Sequence, residues 1–304
     1  MDARSTTPAS SAEPSTVLAV DIGGTKMAAG VVSSDGMLID RAQTPTPASL
    51  DGDELFATLA DLLDRFRPFD QFVVCGVGCG GPMSAGGATV SPLNIPAWRS
   101  FPLGERLARL TGRETKVDND AKALALAEAW VGAARGCRDF VAMVVSTGVG
   151  GGIVLDGRLL DGAAGNAGHI GHMLVEPGGT AVPGHVAGVL ESEASGTGIA
   201  YRTGRPAAEA SAAEIERVGR MVGRAVGSTA NLLDLKLAVI AGSVALGYGE
   251  PFFAAAQAEV DALCQLDFSR GTKVRPAGCG DEGPLIGAAA VGLRYLGHPI
   301  GIIS

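Results

Sequence analysis

One local pattern occurs twice in this chain, about 123 residues apart, and it restricts the fold more than any other feature. An apolar strand ends near a polar residue, a glycine-rich turn follows, a second strand returns, and Asp-Gly closes the unit. The first copy has the strand Val17–Asp21 and the turn IGGT; the second has Phe140–Val145, the turn STGVGGG and the return strand Ile153–Leu155. Repeated β-hairpins with glycine tips predict two similar halves.

The segments around these hairpins alternate between strand and helix patterns, which is typical of α/β layers. Asp118-Asn119-Asp120 opens an alanine- and leucine-rich stretch that favours a helix. Further helices are predicted over about 51–66, 102–111, 211–233, 250–264 and 285–296. Further strands are predicted at Lys26–Val32, Met37–Thr44, Gln71–Gly76, Thr115–Val117, Leu237–Ile240 and Lys273–Pro276. We therefore expect two α/β domains with a cleft between them.

Composition excludes several classes of function. The chain has 24 basic and 32 acidic residues, a net charge of −8 and a pI near 5.1, so it has no overall attraction to nucleic acid or anionic membranes. Five cysteines, an odd number in a 304-residue chain, indicate a reducing compartment. No segment has the pattern of a signal peptide or a membrane span. We expect a cytoplasmic protein with a small-molecule substrate.

The two glycine turns can bind phosphate. Glycine lets backbone N–H groups approach phosphate oxygens without a Cβ clash, and successive amides form an anion site. Asp21 is placed to organise Mg²⁺ through water. The alternative is that the glycines only make tight hairpins. The chain has no GxxxxGK[ST] motif, so it is not a P-loop protein. The predicted phosphate ligands are Gly23, Gly24, Thr25 and Lys26 in the first turn and Thr147, Gly148, Gly150 and Gly151 in the second.

Polar residues elsewhere suggest acid–base chemistry. One residue of Asp118-Asn119-Asp120 suffices to cap the helix, so the other two need another explanation. A carboxylate beside a phosphate cleft can accept the proton of an attacking hydroxyl, which is the role considered for Asp120. His169 and His172 lie in GNAGHIGH, where they can hydrogen-bond a substrate or simply stabilise a loop. Glu191 and Glu193 precede Ser195-Gly196, and their simplest interpretation is a solvated helix face.

Taken together, these motifs resemble those of the ROK family of bacterial sugar kinases (repressors, open reading frames, kinases). The resemblance covers essentially the whole chain after the leader. It depends on DIGGTK at 21–26, NDA at 119–121, STGVGGG at 146–152, GNAGHIGH at 165–172 and ESEASG at 191–196. It implies the actin-like ATPase fold of two ribonuclease-H-like domains. Residues 1–16 would be a disordered leader, 17–118 with about 285–304 the smaller domain, and 119–284 the larger.

The resemblance also implies roles for individual residues. Asp120 matches the family's catalytic base, which deprotonates the 6-hydroxyl of a sugar for attack on the γ-phosphate of ATP. Gly242 and Ser243 match the turn on the adenosine side, and Mg²⁺ would accompany ATP near Asp21. The family also suggests a homodimer. The residues matching sugar-binding positions are Gly81, Asn94, Asn119, His172 and Glu191, with His169 beside them.

Two departures from the family pattern affect these expectations. Many members bind zinc through one histidine and a CxCGxxGC motif, but here Val182, Gly184 and Val189 occupy the cysteine positions. Only His172 would remain, so we expect no structural zinc. The loop must then be held by packing, or it becomes ordered only when sugar binds. Glucose-specific members usually carry glutamate where this chain has His169. This version looks like N-acetylmannosamine kinases, so glucose and N-acetylmannosamine both remain candidate substrates.

The motifs are also compatible with two other functions. The family includes sugar-responsive repressors with an N-terminal winged helix-turn-helix, but only about 16 residues precede the first hairpin here. DNA binding is therefore not expected. The second alternative is a sugar-binding protein without kinase activity, suggested by the altered zinc loop and by His169. The presence of Asp21, Asn119, Asp120 and both glycine turns argues against it.

Overall fold

The computed structural model describes residues 15–48 and 51–302. Residues 1–14 of the predicted leader therefore lie outside the described residues. The strands are β1 (Thr16–Ile22), β2 (Lys26–Ser33), β3 (Leu38–Pro45), β4 (Phe72–Cys79), β5 (Thr115–Asn119), β6 (Phe140–Val145), β7 (Val149–Leu155), β8 (Arg158–Leu159), β9 (Leu237–Ala241) and β10 (Lys273–Pro276). The α-helices are α1 (Gly52–Asp64), α2 (Leu103–Thr111), α3 (Asp120–Trp130), α4 (Leu190–Ala194), α5 (Gly196–Thr203), α6 (Ala212–Leu233), α7 (Ser243–Tyr248), α8 (Glu250–Leu263) and α9 (Gly283–Tyr295).

The strands form two five-stranded sheets with the same topology. The first has the order β3-β2-β1-β4-β5 and the second β10-β9-β6-β7-β8. In each sheet the first three strands in sequence form an antiparallel meander, and the last two add in parallel beside the first. The repeat seen in the sequence is therefore a repeat of whole sheets. This confirms the predicted α/β fold of two similar domains with a cleft between them.

Strand register brings polar residues to one edge of the first sheet. Asp21 on β1 pairs with Gly78 on β4, which in turn pairs with Asp118 on β5. These strands run parallel and end together, with Ile22, Cys79 and Asn119 in register one residue later. Ligands of open α/β sheets bind beyond the carboxyl ends of such strands.

Helices α3 and α9 pack against each other between the two sheets. α9 contacts β4 and β1, whereas α3 contacts β6 and β7. Glycine permits the approach: a Cβ on Gly76 would fall on the carbonyl oxygen of Ala288, and one on Gly287 would fall on the carbonyl oxygen of Ala123. A single cluster of buried residues from both sheets and both helices results.

From Ala121 onward the α3 helix is buried on all sides, yet this part carries two charged residues, both of which have hydrogen-bond partners. The carboxylate of Glu128 accepts the backbone N–H groups of Ala133, Gly278 and Cys279 at 2.7–2.9 Å. The Lys122 side chain, 2% exposed, pairs with Asp118 at 2.8 Å. It also pairs with Asp161 at 2.6 Å. Buried charges are tolerated when they are fully hydrogen-bonded, as Glu128 is, or paired with an opposite charge, as Lys122 is.

The sequence predictions match most elements and differ in two respects. β7 begins at Val149, so Gly150, Gly151 and Gly152 belong to a strand paired with β6 rather than to the predicted turn. The short helices α4, α5 and α7 were not predicted, because elements of five to eight residues leave little periodic signal. We propose that the domain boundary lies between residues 118 and 119, one residue before the end of β5. Among the described residues, no helix combines the length and the apolar composition needed to cross a bilayer.

The contact between β4 and α9 generates a stability prediction. Gly76→Ala would force the carbonyl of Ala288 away and should destabilise the protein by about 1–3 kcal/mol, the usual effect of overpacking. Gly247→Ala is the matched control, because a Cβ there meets nothing within 4 Å on α7 and should stabilise by about 0.5–1 kcal/mol. Urea denaturation followed by tryptophan fluorescence measures both. Equal stability of the two variants would contradict the proposed packing.

Candidate active site

A cleft of about 590 Å³ lies between the two halves, at the carboxyl ends of the central strands of both sheets. The turn after β1 and the turn after β6 both line it. The two glycine hairpins therefore face one cleft from different halves, as the repeat suggested. The α3 N-terminus, the loop before α2 and the loop before α4 complete the walls.

The wall from the first half brings together five of the predicted residues. Gly23, Gly24 and Thr25 form the tip of the β1–β2 hairpin, and Gly81 and Asn94 lie on the loops that follow β4. A Cβ on Gly24 would lie 2.6 Å from the Cβ of Asn94. Glycine at this tip is therefore required by the close approach of the Asn94 loop, in addition to any contact with phosphate.

The wall from the second half is the hairpin between β6 and β7. Thr147 and Gly148 form its turn and are accessible from the cleft. Gly150 and Gly151 also line the cleft, but they are strand residues. A Cβ on Gly150 would lie 3.1 Å from Ala121, and one on Gly151 would lie 3.0 Å from the side chain of Ile170. These two glycines thus allow α3 and the GNAGHIGH loop to approach β7.

The three polar residues at the start of α3 have separate roles. Asn119 is the N-cap, and its side-chain oxygen accepts the N–H of Ala121 at 3.0 Å. Asp118 is engaged by buried Lys122. Asp120 accepts the N–H of Ala121 at 2.8 Å through one oxygen and is exposed to the open cleft. Capping therefore does not explain Asp120, which is the carboxylate available for chemistry.

Two carboxylates near the cleft are held in an environment that favours the protonated form. Burial, reinforced by the negative charge of Asp120 and opposed by Lys26, raises the pKa of Asp21 to about 7. The surrounding cleft walls also raise the pKa of Asp120, although its side chain is open to water within the cleft. Paired carboxylates with raised pKa values are typical of sites that bind a cation or transfer a proton.

His169 and His172 lie together on the loop after β8. Their ring centroids are 5.9 Å apart in an edge-to-face arrangement, and both rings are exposed to the cleft. Burial and the charge of His172 lower the pKa of His169, so His169 is neutral at neutral pH. A Cβ on Gly81 would lie 3.4 Å from Nε2 of His169. The loops of the two halves therefore approach each other here.

Glu191 and His185 line the same end of the cleft. One oxygen of Glu191 accepts the N–H of Val149 at 2.7 Å, and the other lies 3.4 Å from Nδ1 of His185. Sequence reasoning identified Glu191 but missed His185. The signal that could have identified His185 was its position directly after Gly184, inside the altered zinc motif.

Four predicted residues do not line the cleft. Asp21 precedes Ile22, and Ile22 lines the cleft. Lys26 opens β2 with its side chain exposed, and it acts on the site through its charge near Asp21. Gly242 and Ser243 lie just beyond, where the hydroxyl of Ser243 is 2.9 Å from that of the cleft residue Ser146. Their assignment to a nucleotide site stays a prediction.

The loop that would hold zinc offers no matching set of donors. Val182 and Val189 are buried hydrocarbon side chains, and Gly184 has no side chain. His172 alone cannot provide a tetrahedral site. The residues present therefore do not fit a structural zinc ion.

Comparison with known proteins gives consistent matches. Residues 17–294 match the ROK family. N-acetylmannosamine kinase of Escherichia fergusonii is 38% identical over 252 residues, which are 77% of this chain and 85% of the relative. The solved ROK hexokinase of Thermus thermophilus is 31% identical with a TM-score of 0.78, covering 93% of this chain and 99% of its own. The Streptomyces griseus ROK glucokinase, solved with glucose and AMPPNP, is 26% identical with a TM-score of 0.80, covering 92% and 99%.

The raised pKa of Asp21 predicts a pH dependence of stability. A folded-state pKa of about 7, above the ordinary 3.8, means that stability falls as pH rises from about 4 to about 7. Asp21→Asn should remove this loss in protein free of nucleotide and divalent cation. Because Asp21 is only half-buried, we expect a modest gain above pH 7, about 2–4 °C in Tm.

Calorimetry across this pH range measures the effect. Asp61→Asn on the exposed surface of α1 is the control, and it should leave the profile unchanged. A variant at Asp21 with the same pH profile as the parent would contradict the assignment.

Proposed function

Because the chain belongs to the ROK family, we propose that it is an ATP-dependent sugar kinase that phosphorylates the 6-hydroxyl of a hexose or N-acetylhexosamine. The observation that carries the proposal is the position of Asp120. Its carboxylate is exposed in a cleft that both glycine hairpins also line. A phosphate donor bound between the hairpins and an alcohol bound beside Asp120 would meet in this cleft.

The chemistry follows from the charges involved. Phosphoryl transfer needs little covalent help from the protein; it needs the alcohol positioned in line with the γ-phosphate and the developing charge stabilised. Asp120 would accept the proton of the 6-hydroxyl as the oxygen attacks phosphorus. Its raised pKa improves it as a base, because a carboxylate with an ordinary pKa holds a proton weakly at neutral pH.

The nucleotide would lie along the hairpin tips. Backbone N–H groups around Gly24 and Gly148 would contact phosphate oxygens, and Gly242 with Ser243 would lie on the adenosine side. Asp21 offers the oxygen ligands that Mg²⁺ prefers, directly or through water. When bound with ATP, Mg²⁺ would neutralise part of the charge of the phosphates. The AMPPNP bound to the Streptomyces griseus relative supports a nucleoside triphosphate as the phosphoryl donor.

The sugar would lie at the other end, beside the α3 N-terminus. Asn119, His172 and Glu191 provide donors and acceptors for ring hydroxyls, with Asn94 and the Gly81 loop opposite. His169 lies where glucose-specific kinases usually have a glutamate. A neutral histidine cannot accept hydrogen bonds as a charged carboxylate does. The curated relatives named N-acetylmannosamine kinase support N-acetylmannosamine beside glucose as a candidate substrate.

Asp120→Asn tests the assignment of the base. The amide retains the size and the N-terminal hydrogen bond of the aspartate but cannot accept a proton, so kcat should fall roughly 10²–10⁴-fold. ATP binding, measured by calorimetry, should change little. Asp61→Asn is again the control and should keep full activity. Retention of parental kcat in Asp120→Asn would show that another group serves as the base.

A panel of sugars tests the proposed function and its substrate. We expect ATP-dependent turnover with N-acetylmannosamine or glucose, measured by coupled ADP release, and lower turnover with mannose, N-acetylglucosamine, allose and fructose. Product analysis by ³¹P NMR should place the phosphate on O6. Binding of a sugar without turnover of any member would favour a non-catalytic sugar-binding protein instead.

A further inference from the structure

The loop over residues 176–189, hereafter the valine loop, forms one side of the cleft and presents His185 to it. It contains the altered zinc positions and lacks regular secondary structure. Its backbone closes on itself: the N–H of Gly188 donates to the carbonyl of Thr180 at 3.1 Å, and the N–H of Gly179 donates to that of Glu176 at 2.8 Å. Such a loop needs an external support to hold a cleft residue in place.

That support is centred on Glu193, which follows the loop in α4. Its side chain is fully buried and accepts the backbone N–H of Thr180, while one oxygen accepts the Thr180 hydroxyl at 3.0 Å. Glycine at 179 makes room, because a Cβ there would overlap the carboxylate. The expectation that Glu193 lies on a solvated helix face is therefore wrong. Its carboxylate connects α4 directly to the middle of the loop.

Two arginines neutralise this buried carboxylate. Arg217 of α6 forms an ion pair with Glu193, and Arg202 of α5 lies 3.6 Å from it. Arg202 also donates to the Thr180 hydroxyl at 3.2 Å and pairs with Glu214. Burial opposes ionisation, but the hydrogen bonds from Arg217 and Thr180 outweigh it and lower the pKa of Glu193. The carboxylate is therefore charged at neutral pH.

A second anchor holds the beginning of the loop. Arg224 of α6 donates to the carbonyl of Val175 at 3.1 Å and pairs with Glu176. The same guanidinium pairs with Glu259 of α8 at 2.9 Å. Helix α6 therefore holds the loop directly through Arg224 and indirectly through Arg217, which pairs with Glu193.

The support continues to the residues that face the cleft. Ser192, buried beside Glu193, donates its hydroxyl to the carbonyl of Val186 at 3.1 Å, next to His185. Glu191 is two residues from Glu193 on the same short helix and lies 3.4 Å from His185. Movement of the Glu193 carboxylate would therefore displace both His185 and Glu191.

We propose that the Glu193–Arg217–Arg202 cluster is a metal-independent brace that positions His185 and Glu191 at the sugar end of the cleft. Glu193 is thus a positioning residue, and the cluster takes the place of a metal that Val182, Gly184 and Val189 cannot bind. Charge-assisted hydrogen bonds in a buried site are strong and directional, so they can order a loop as ligands to a metal would. The functional part of this inference depends on the proposed sugar kinase activity; the structural part does not.

Glu193→Gln tests the brace, with Glu216→Gln as the matched control. The amide keeps the shape of the side chain but leaves Arg217 without its buried counter-charge and leaves Arg202 with Glu214 alone. Glu216 is on the same helix as Arg217, is more than half exposed and pairs with Arg220 only at the surface. Hydrogen exchange of the peptide covering 176–190, read by mass spectrometry, should accelerate roughly tenfold in Glu193→Gln and remain unchanged in the control.

Steady-state kinetics separate positioning from general destabilisation. Glu193→Gln should raise the KM for sugar roughly tenfold, while the KM for ATP stays within about twofold, because only the sugar end depends on the loop. If this variant does not fold, Arg217→Gln leaves Arg202 and Thr180 on the buried carboxylate and should show a smaller change in the same direction. Equal changes in both KM values would contradict positioning.

Metal dependence is tested on the parent protein. Exhaustive chelation followed by return of Mg²⁺ alone should leave both the exchange of 176–190 and the sugar KM unchanged, and elemental analysis should find no stoichiometric zinc. Faster exchange after chelation would overturn the proposal. Unchanged exchange in both Glu193→Gln and Arg217→Gln would also overturn it. If the parent turns over no sugar, the proposed function fails, but hydrogen exchange still tests the brace.

Discussion

The close packing of backbone against backbone along α9 is the constraint on which the rest of the structure depends. Gly76 and Gly287 let this helix approach β4 on one side and α3 on the other, because a side chain at either position would overlap a carbonyl oxygen. The two sheets are thereby held with the carboxyl ends of their central strands toward one cleft. The N-terminus of α3, with Asp120, enters that cleft because α3 lies between the sheets.

This arrangement places two carboxylates in surroundings that disfavour their ionised forms. Burial raises the pKa of both Asp21 and Asp120, and the negative charge of Asp120 adds to the effect on Asp21. Under the proposed function, Asp21 would hold a cation near Asp120 as the base, which is the combination that phosphoryl transfer from ATP to an alcohol requires. Glu193 shows the opposite case: two arginines keep its buried carboxylate charged, and its negative charge is used to order a loop rather than to react.

Much of this could be predicted from the sequence. The strand–glycine–strand repeat indicated two related halves, and the Asp-Gly turns and apolar runs located most strands and long helices, because these signals are local. The motifs and the family resemblance together identified fourteen residues that line the cleft, among them Asp120, because residues that follow the carboxyl ends of strands meet at one edge of a sheet. The sequence could not show that Gly150 and Gly151 are strand residues that admit neighbouring elements rather than residues of the turn. A glycine in a turn and a glycine that admits a neighbouring helix look alike in a sequence.

By itself, the sequence determined the fold class, the family and the identity of the carboxylate available for chemistry. Only the tertiary structure decided how the valine loop is held, because the contacts of Glu193 come from α5, α6 and the loop itself, which are distant along the chain. Two glutamates separated by one residue on a short helix carry no local sign of which one is buried. Burial is a property of the packed molecule, and it alone separates Glu193, fully enclosed, from Glu191, which faces the cleft.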